Sequence, residues 1–233
     1  MIIYSDTFER KKMPIIDLTH PIHAGMPVYP GKPQPVIVQS AEIENEGYRE
    51  LTLGFDGHTG THMDAPAHML PMGKTLDKLP VSHFYGDAAV ILIPEHTAVI
   101  GISKLEPFRE TISAAEYVLL VTGWSKYWGT ENYQTGFPVL SEEAARWLVS
   151  FPLKGIGIDA ISVDSLDSET WQVHHILFNA GFIIVENLRF PAGFNVDKCR
   201  FICLPLLVKN SDGAPVRAVV QIDEKQSSEL SFL

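Results

Sequence analysis

Six short runs of aliphatic and β-branched residues, each closed off by polar or chain-breaking positions, constrain this chain more than any other feature. They lie at residues 88–93, 117–122, 155–159, 182–186, 201–208 and 216–222. Runs of this length and composition predict buried strands rather than helices. Only two segments predict helices: residues 142–150, with Ser141 as N-cap, and residues 169–179, with Gly181 just beyond as a stop. Residues 21–35 carry Pro21, Gly25, Pro27, Pro30, Gly31, Pro33 and Pro35, so they can form neither a central strand nor a helix and predict an ordered loop. Strands therefore outnumber helices, which predicts an α/β or α+β domain whose sheets are partly covered by helices. No internal repeat or Gly/Ser linker divides the chain, and residues 1–233 are expected to form a single domain. With 45% apolar and 20% charged residues, a chain of this length buries roughly 70–75% of its unfolded surface.

Charge removes several function classes. Eighteen Lys and Arg against 28 Asp and Glu leave a net charge of −10, which argues against nucleic acid or an anionic membrane surface as partner. No apolar run approaches the ~20 residues of a spanning helix. Residues 1–12 carry Asp6, Glu9, Arg10, Lys11 and Lys12 without an apolar core, so no secretory signal is expected and the chain reads as cytoplasmic. Cys199 and Cys203, four apart in an extended segment, would stand about 13 Å from each other, beyond the ~7 Å limit of a disulfide. They read as two small buried side chains. G-x-S-x-G, H-E-x-x-H and G-x-x-x-x-G-K-[ST] are absent, and Gly155-Ile-Gly157 lacks the third glycine of a dinucleotide loop.

The chemistry concentrates in one segment. His58, His62 and His68 fall within eleven residues, where an even spread of nine histidines would place about 0.4. Imidazole and carboxylate together, with no thiolate nearby, are the donors of a borderline metal site. Counted from His58, the residues His62, Asp64 and His68 fall at even offsets, so an extended backbone would point all four to one face. A helix would put Asp64 about 200° around from His62, and Gly57, Gly60 and Pro66 resist helix anyway. A straight strand would still hold His58 and His62 about 13 Å apart, so the chain must bend, and Gly60 is the residue able to bend it. His20, His23, His83 and His96 show no such grouping and read as surface or loop residues, with His20 and His23 placed to border the site.

A second donor set lies more than a hundred residues on. On one straight helix His174 and Glu186 would be about 18 Å apart. A helix ending near Asn179, followed by a turn at Gly181, lets a returning strand bring Glu186 beside His174. Glu186 closes an apolar run, and a carboxylate there is costly unless paired or coordinated.

These residues match a known pattern. His58-Thr-Gly60-Thr-His62-Met-Asp64-Ala-Pro66-Ala-His68 resembles the H-x-G-T-H-x-D-A-P-x-H signature of the cyclase-like metal-dependent hydrolases, the family of bacterial kynurenine formamidase and isatin hydrolase. Asp17-Leu-Thr-His-Pro-Ile, Thr122-Gly123-Trp124, Phe137-Pro-Val-Leu-Ser-Glu-Glu-Ala-Ala145, Gly157-Ile-Asp159 and Val185-Glu186-Asn187-Leu188 are similar to further family landmarks, in the family's order. The resemblance implies a swivelling β/β/α domain with mixed sheets and few covering helices, assembled as a homodimer or homotetramer. It implies that His58, His62 and Asp64 bind a first metal, that His174 and Glu186 bind a second bridged by Asp64, and that His68 is the general acid and base. The metals would be two Zn²⁺ per chain, with Mn²⁺ as the alternative found in other branches; the twelve-residue interval from His174 to Glu186 fits the two-metal branch. Pro27-Val-Tyr29-Pro30-Gly31-Lys32 resembles the family's substrate-side P-x-W-P-G-D stretch, with Tyr for Trp and Lys for Asp. Tyr29 and Trp124 would wall in a small aromatic amide, while Phe84 reads as core. The implied activity is hydrolysis of N-formyl-L-kynurenine, with isatin or another cyclic amide or lactone as the alternative substrate. A non-catalytic metal-binding protein with a closed ligand shell is the rival from another class.

Overall fold

The buried strands expected from the apolar runs contribute to a nine-stranded mixed sheet, and four of them run parallel at its middle. In this computed structural model, residues 13–223 and Gln226 are described, so the segment from which the absence of a secretory signal was read lies outside the described residues. Across the sheet the strands run Ile15–Asp17, Val219–Gln221, Lys198–Ile202, Tyr85–Leu92, Tyr117–Val121, Gly155–Ile158, Ile183–Glu186, His62–Asp64 and Gly213–Pro215. The four from Tyr85–Leu92 to Ile183–Glu186 are mutually parallel, and the strands on either side of them pair antiparallel. Strands buried on both faces have no polar side to alternate with, which is why their buried stretches, such as Ala88–Ile91 and Val118–Leu120, are continuous apolar runs.

Successive side chains of the central strands enter two different cores. Val118 and Leu120 join Ala144, Leu148, Val173 and Leu177 of the helices Glu142–Leu148 and Gln172–Asn179. Tyr117 and Leu119 face the other way. There Ile16 and Val220 from one end of the sheet meet Met63 and Ala214 from the other, so the sheet curls around its second core. The result is the expected mixed α/β architecture with few covering helices. Ser141 caps Glu142–Leu148 by accepting the Ala144 N–H at 3.1 Å.

Three expectations shift. The second helix begins at Gln172 rather than 169, because Trp171 sits at φ 48° and the Asp164 carboxylate caps the helix from outside, accepting the Val173 and His174 N–H groups. The strand expected at 201–208 is Lys198–Ile202; Pro205 has no N–H to give a ladder, and Leu204, Leu206, Leu207 and Val208 are exposed. His20 is buried rather than on the surface. Its ring stacks on Trp128 at 3.9 Å between centroids, and its Nε2 finds no hydrogen-bond partner among the described residues. Cys199 and Cys203 are buried and unpaired, as expected.

The burial of His20 carries a testable consequence. Desolvation, helped by the positive charge of Arg189, pushes its pKa down to about 4. As pH falls below about 6.5 the unfolded chain therefore takes up this proton before the folded one does, so stability drops between about pH 6.5 and 4. We expect His20→Phe, which keeps the stack on Trp128, to remove that part of the slope of melting temperature against pH. Parallel slopes for wild type and variant would show that His20 titrates normally.

Candidate metal centre

The strand His62–Asp64 carries the centre because its alternation separates core from site. Met63 points into the second core, fully buried, so His62 and Asp64 both point to the opposite face. The neighbouring strand places Glu186 directly across from His62. The other two even-offset residues, His58 and His68, reach the same place only because the chain leaves the strand on both sides. Gly60, at φ 66°, turns His58 back over the strand. Past Asp64, the turn Pro66–His68 brings His68 beside His58, ring centroids 3.9 Å apart.

His174 comes from the other side. The helix Gln172–Asn179 ends, the chain turns at Gly181 (φ 81°), and Ile183–Glu186 runs back. His174 Nε2 then stands 3.6 Å from Glu186 Oε1 and 3.9 Å from Asp64 Oδ2. On the opposite side of Asp64, Oδ1 lies 2.5 Å from His58 Nδ1 and 3.2 Å from His62 Nε2. Asp64 thus belongs to two donor groups, one with His58 and His62 and one with His174 and Glu186, the donor atoms in each within 4.8 Å of one another.

The donors are also oriented from behind. His62 Nδ1 donates to the Gly60 carbonyl at 2.9 Å, and His174 Nδ1 donates to Asp164 at 2.7 Å. Each bond fixes the tautomer that presents a bare Nε2 to the centre. Asn187, held at φ 56°, donates to the same Gly60 carbonyl while its own Oδ1 accepts from Tyr133.

Asp64 and Glu186 are 1% and 5% exposed, and among the described residues neither pairs with a lysine or arginine. Two buried carboxylates need positive charge. Without a metal, imidazolium supplies it. Burial opposes protonation of His58, but Asp64 and Asp212 override it and raise its pKa to about 9. At His174 the same contest, won by Asp164, Glu186 and Asp64, raises the pKa to about 10. Asp64, despite its burial, is held well below the usual carboxylate range by the charges of His62 and His58. His68 differs: burial dominates and lowers its pKa, leaving it neutral. Imidazole and carboxylate donors converging on two buried carboxylates that have no lysine or arginine partner among the described residues fit divalent cations of the Zn²⁺ or Mn²⁺ kind.

Above these groups lies a cavity of about 260 Å³, walled by Pro27, Val28, Tyr29, Pro33, Met69 and Trp171. Tyr29 lines this cavity. Trp124 does not reach the cavity: it packs against the first core and its Nε1 donates to the Tyr133 carbonyl at 2.8 Å. Trp171 takes that place, its ring 6.4 Å from Tyr29 and tilted by 58°. Phe84 lies in the second core. Sequence reasoning marked Asn187 only as part of a family landmark and passed over Asp164 and Asp212; Asp212 touches His58 and His68 from more than 140 positions away.

Comparisons with known proteins point in one direction. Residues 16–165 match the protein family described as putative cyclase. A kynurenine formamidase of Bacillus cereus is 33% identical over 207 residues, spanning 88% of this chain and 96% of that protein. A solved structure described as a potential metal-dependent hydrolase with cyclase activity is 30% identical, with a TM-score of 0.77, and covers 91% of this chain and 100% of that one. Isatin hydrolase A from Labrenzia aggregata, solved with benzyl benzoate bound, has a TM-score of 0.80 over 91% of this chain and 94% of its own; at 22% identity the likeness is one of fold.

Proposed function

Because the chain belongs to the putative cyclase family, we propose that it is a metal-dependent hydrolase of non-peptide C–N bonds whose substrate is an aryl formamide, N-formyl-L-kynurenine being the best match. The observation that carries this reading is the position of Asp64, shared between two donor groups beside a neutral histidine under an apolar cavity. His58, His62 and Asp64 would hold one ion, and Asp64, His174 and Glu186 a second; two Zn²⁺ per chain suit these donors, with Mn²⁺ the alternative. When bound, divalent metal supplies Lewis acidity that polarises the scissile carbonyl and makes water acidic enough to attack near neutral pH.

The chain's own residues supply the rest. His68, neutral and adjacent to the donors, takes the proton from the attacking water and returns it to the aryl nitrogen as the C–N bond breaks, releasing the arylamine and formate. Tyr29 and Trp171 hold the aromatic ring between them and keep bulk water off the reacting carbon.

We further propose the homodimer or homotetramer that the sequence resemblance implies, and one exposed feature supports it. An antiparallel hairpin, Val36–Ala41 with Glu50–Gly54, exposes Val36, Val38, Leu51 and Leu53 and, among the described residues, pairs with no other strand. Such a pair is marginal alone in water. A second copy of this chain is the cover we assign to it.

The test of the activity is metal analysis of protein purified without added metal, followed by turnover of N-formyl-L-kynurenine and isatin on the same sample. Metal-dependent release of formate is expected. Preferential opening of isatin would move the substrate to cyclic amides, and bound metal without turnover of either would favour a closed, non-catalytic site.

A further inference from the structure

Asp212 stands outside both donor groups, yet one of its oxygens serves two of the histidines. Oδ2 lies 3.0 Å from His58 Nε2 and 3.2 Å from His68 Nδ1. The segment that carries it is anchored through backbone rather than side chains. Ala65 N–H donates to the Asp212 carbonyl at 2.8 Å, Leu76 N–H donates to the Ser211 carbonyl at 2.9 Å, and Gly213 pairs directly opposite Asp64. Gly213 lies flat against the His58 ring, since a Cβ there would come 2.5 Å from His58 Cε1. Only a residue without a side chain lets the strand approach so closely.

From this we infer that Asp212 is a positioning residue that fixes the tautomers of His58 and His68 together, so that His58 offers Nδ1 to the metal and His68 offers Nε2 to the substrate. An ionised carboxylate only accepts hydrogen bonds, so both ring nitrogens that face it must carry the hydrogen. For His58 this leaves the Nδ1 lone pair directed at the Asp64 side of the centre. For His68 it leaves Nε2 as the only basic atom, free to accept the proton that the hydrolysis requires. One carboxylate thereby ties the orientation of a ligand to that of the acid and base. The inference rests on the proposed role of His68 in amide hydrolysis.

The experiment uses zinc-loaded protein, with Asp212→Asn, Asp212→Ala and Asp212→Glu beside wild type. Long-range ¹H–¹⁵N correlation of the imidazole rings reads the tautomer without any substrate. Wild-type His68 should be the Nδ1–H form. In Asp212→Asn the amide can donate to Nδ1, and His68 should move toward the Nε2–H form. With N-formyl-L-kynurenine, kcat should fall about 10–100-fold in the Asn and Ala variants, with KM within about twofold of wild type and partial recovery in Asp212→Glu. Zinc content should be unchanged. An unaltered His68 tautomer in Asp212→Asn, or loss of a zinc equivalent that makes Asp212 a ligand, would overturn the inference. Absence of amide turnover in wild type, with the tautomer shift present, would instead overturn the proposed substrate and leave the positioning role standing.

Discussion

Asp64→Asn is expected to strip the protein of metal and take hydrolysis down to background, the largest effect of any single substitution considered. The side chain keeps its shape, so packing is not the cause. Asp64 is the one residue common to both donor groups, and a neutral amide oxygen in its place withdraws a negative charge from two cations at once. Metal content should drop from about two ions per chain to less than about one. The metal-free variant should still fold, because imidazolium groups that lose their counter-charge can release their protons, as a buried arginine cannot. Full occupancy with a wild-type rate in Asp64→Asn would remove the bridging role.

His68→Ala separates catalysis from binding. The metal should stay, because His58, His62, Asp64, His174 and Glu186 are intact, while kcat falls by about 10²–10⁴-fold, the usual size of a general acid and base contribution. His68 is half-buried at the cavity, its ring resting on His58 and approaching Phe178, and it stands outside the two donor groups that share Asp64. A metal-free His68→Ala protein would make His68 a ligand, consistent with the third donor group it forms with His58 and Asp212.

How far the site could be read from sequence depended on how locally each residue is held. His58, His62, Asp64 and His68 share one short segment, and both the even spacing and the bend at Gly60 were legible there. The approach of Glu186 to His174 needed only one helix end and one turn at Gly181, which the sequence also marks. Asp212 gave no such signal, because its place depends on pairing Gly213 with Asp64 across the sheet. Asp164 was invisible for a related reason: its carboxylate caps a helix that begins eight residues later, through a loop with no periodicity. Trp124 and Trp171 could not be told apart by composition; only the core around Tyr133 draws the first inward and leaves the second at the cavity. The run 201–208 is rich in aliphatic residues, yet Pro205 has no N–H to give to a ladder and the strand ends at Ile202.

Two ions sharing Asp64 would require two metal equivalents per chain, and counting metal per chain tests that most directly. Protein purified without added metal and then equilibrated with Zn²⁺ should hold about two ions in wild type and about one in each of His174→Ala and Glu186→Gln, since the first donor group comes from a separate segment. Both variants should also melt lower than wild type in zinc and converge with it after chelation. A single ion in wild type, unchanged by either substitution, would contradict the two-metal centre and leave His174 and Glu186 without the role assigned to them here.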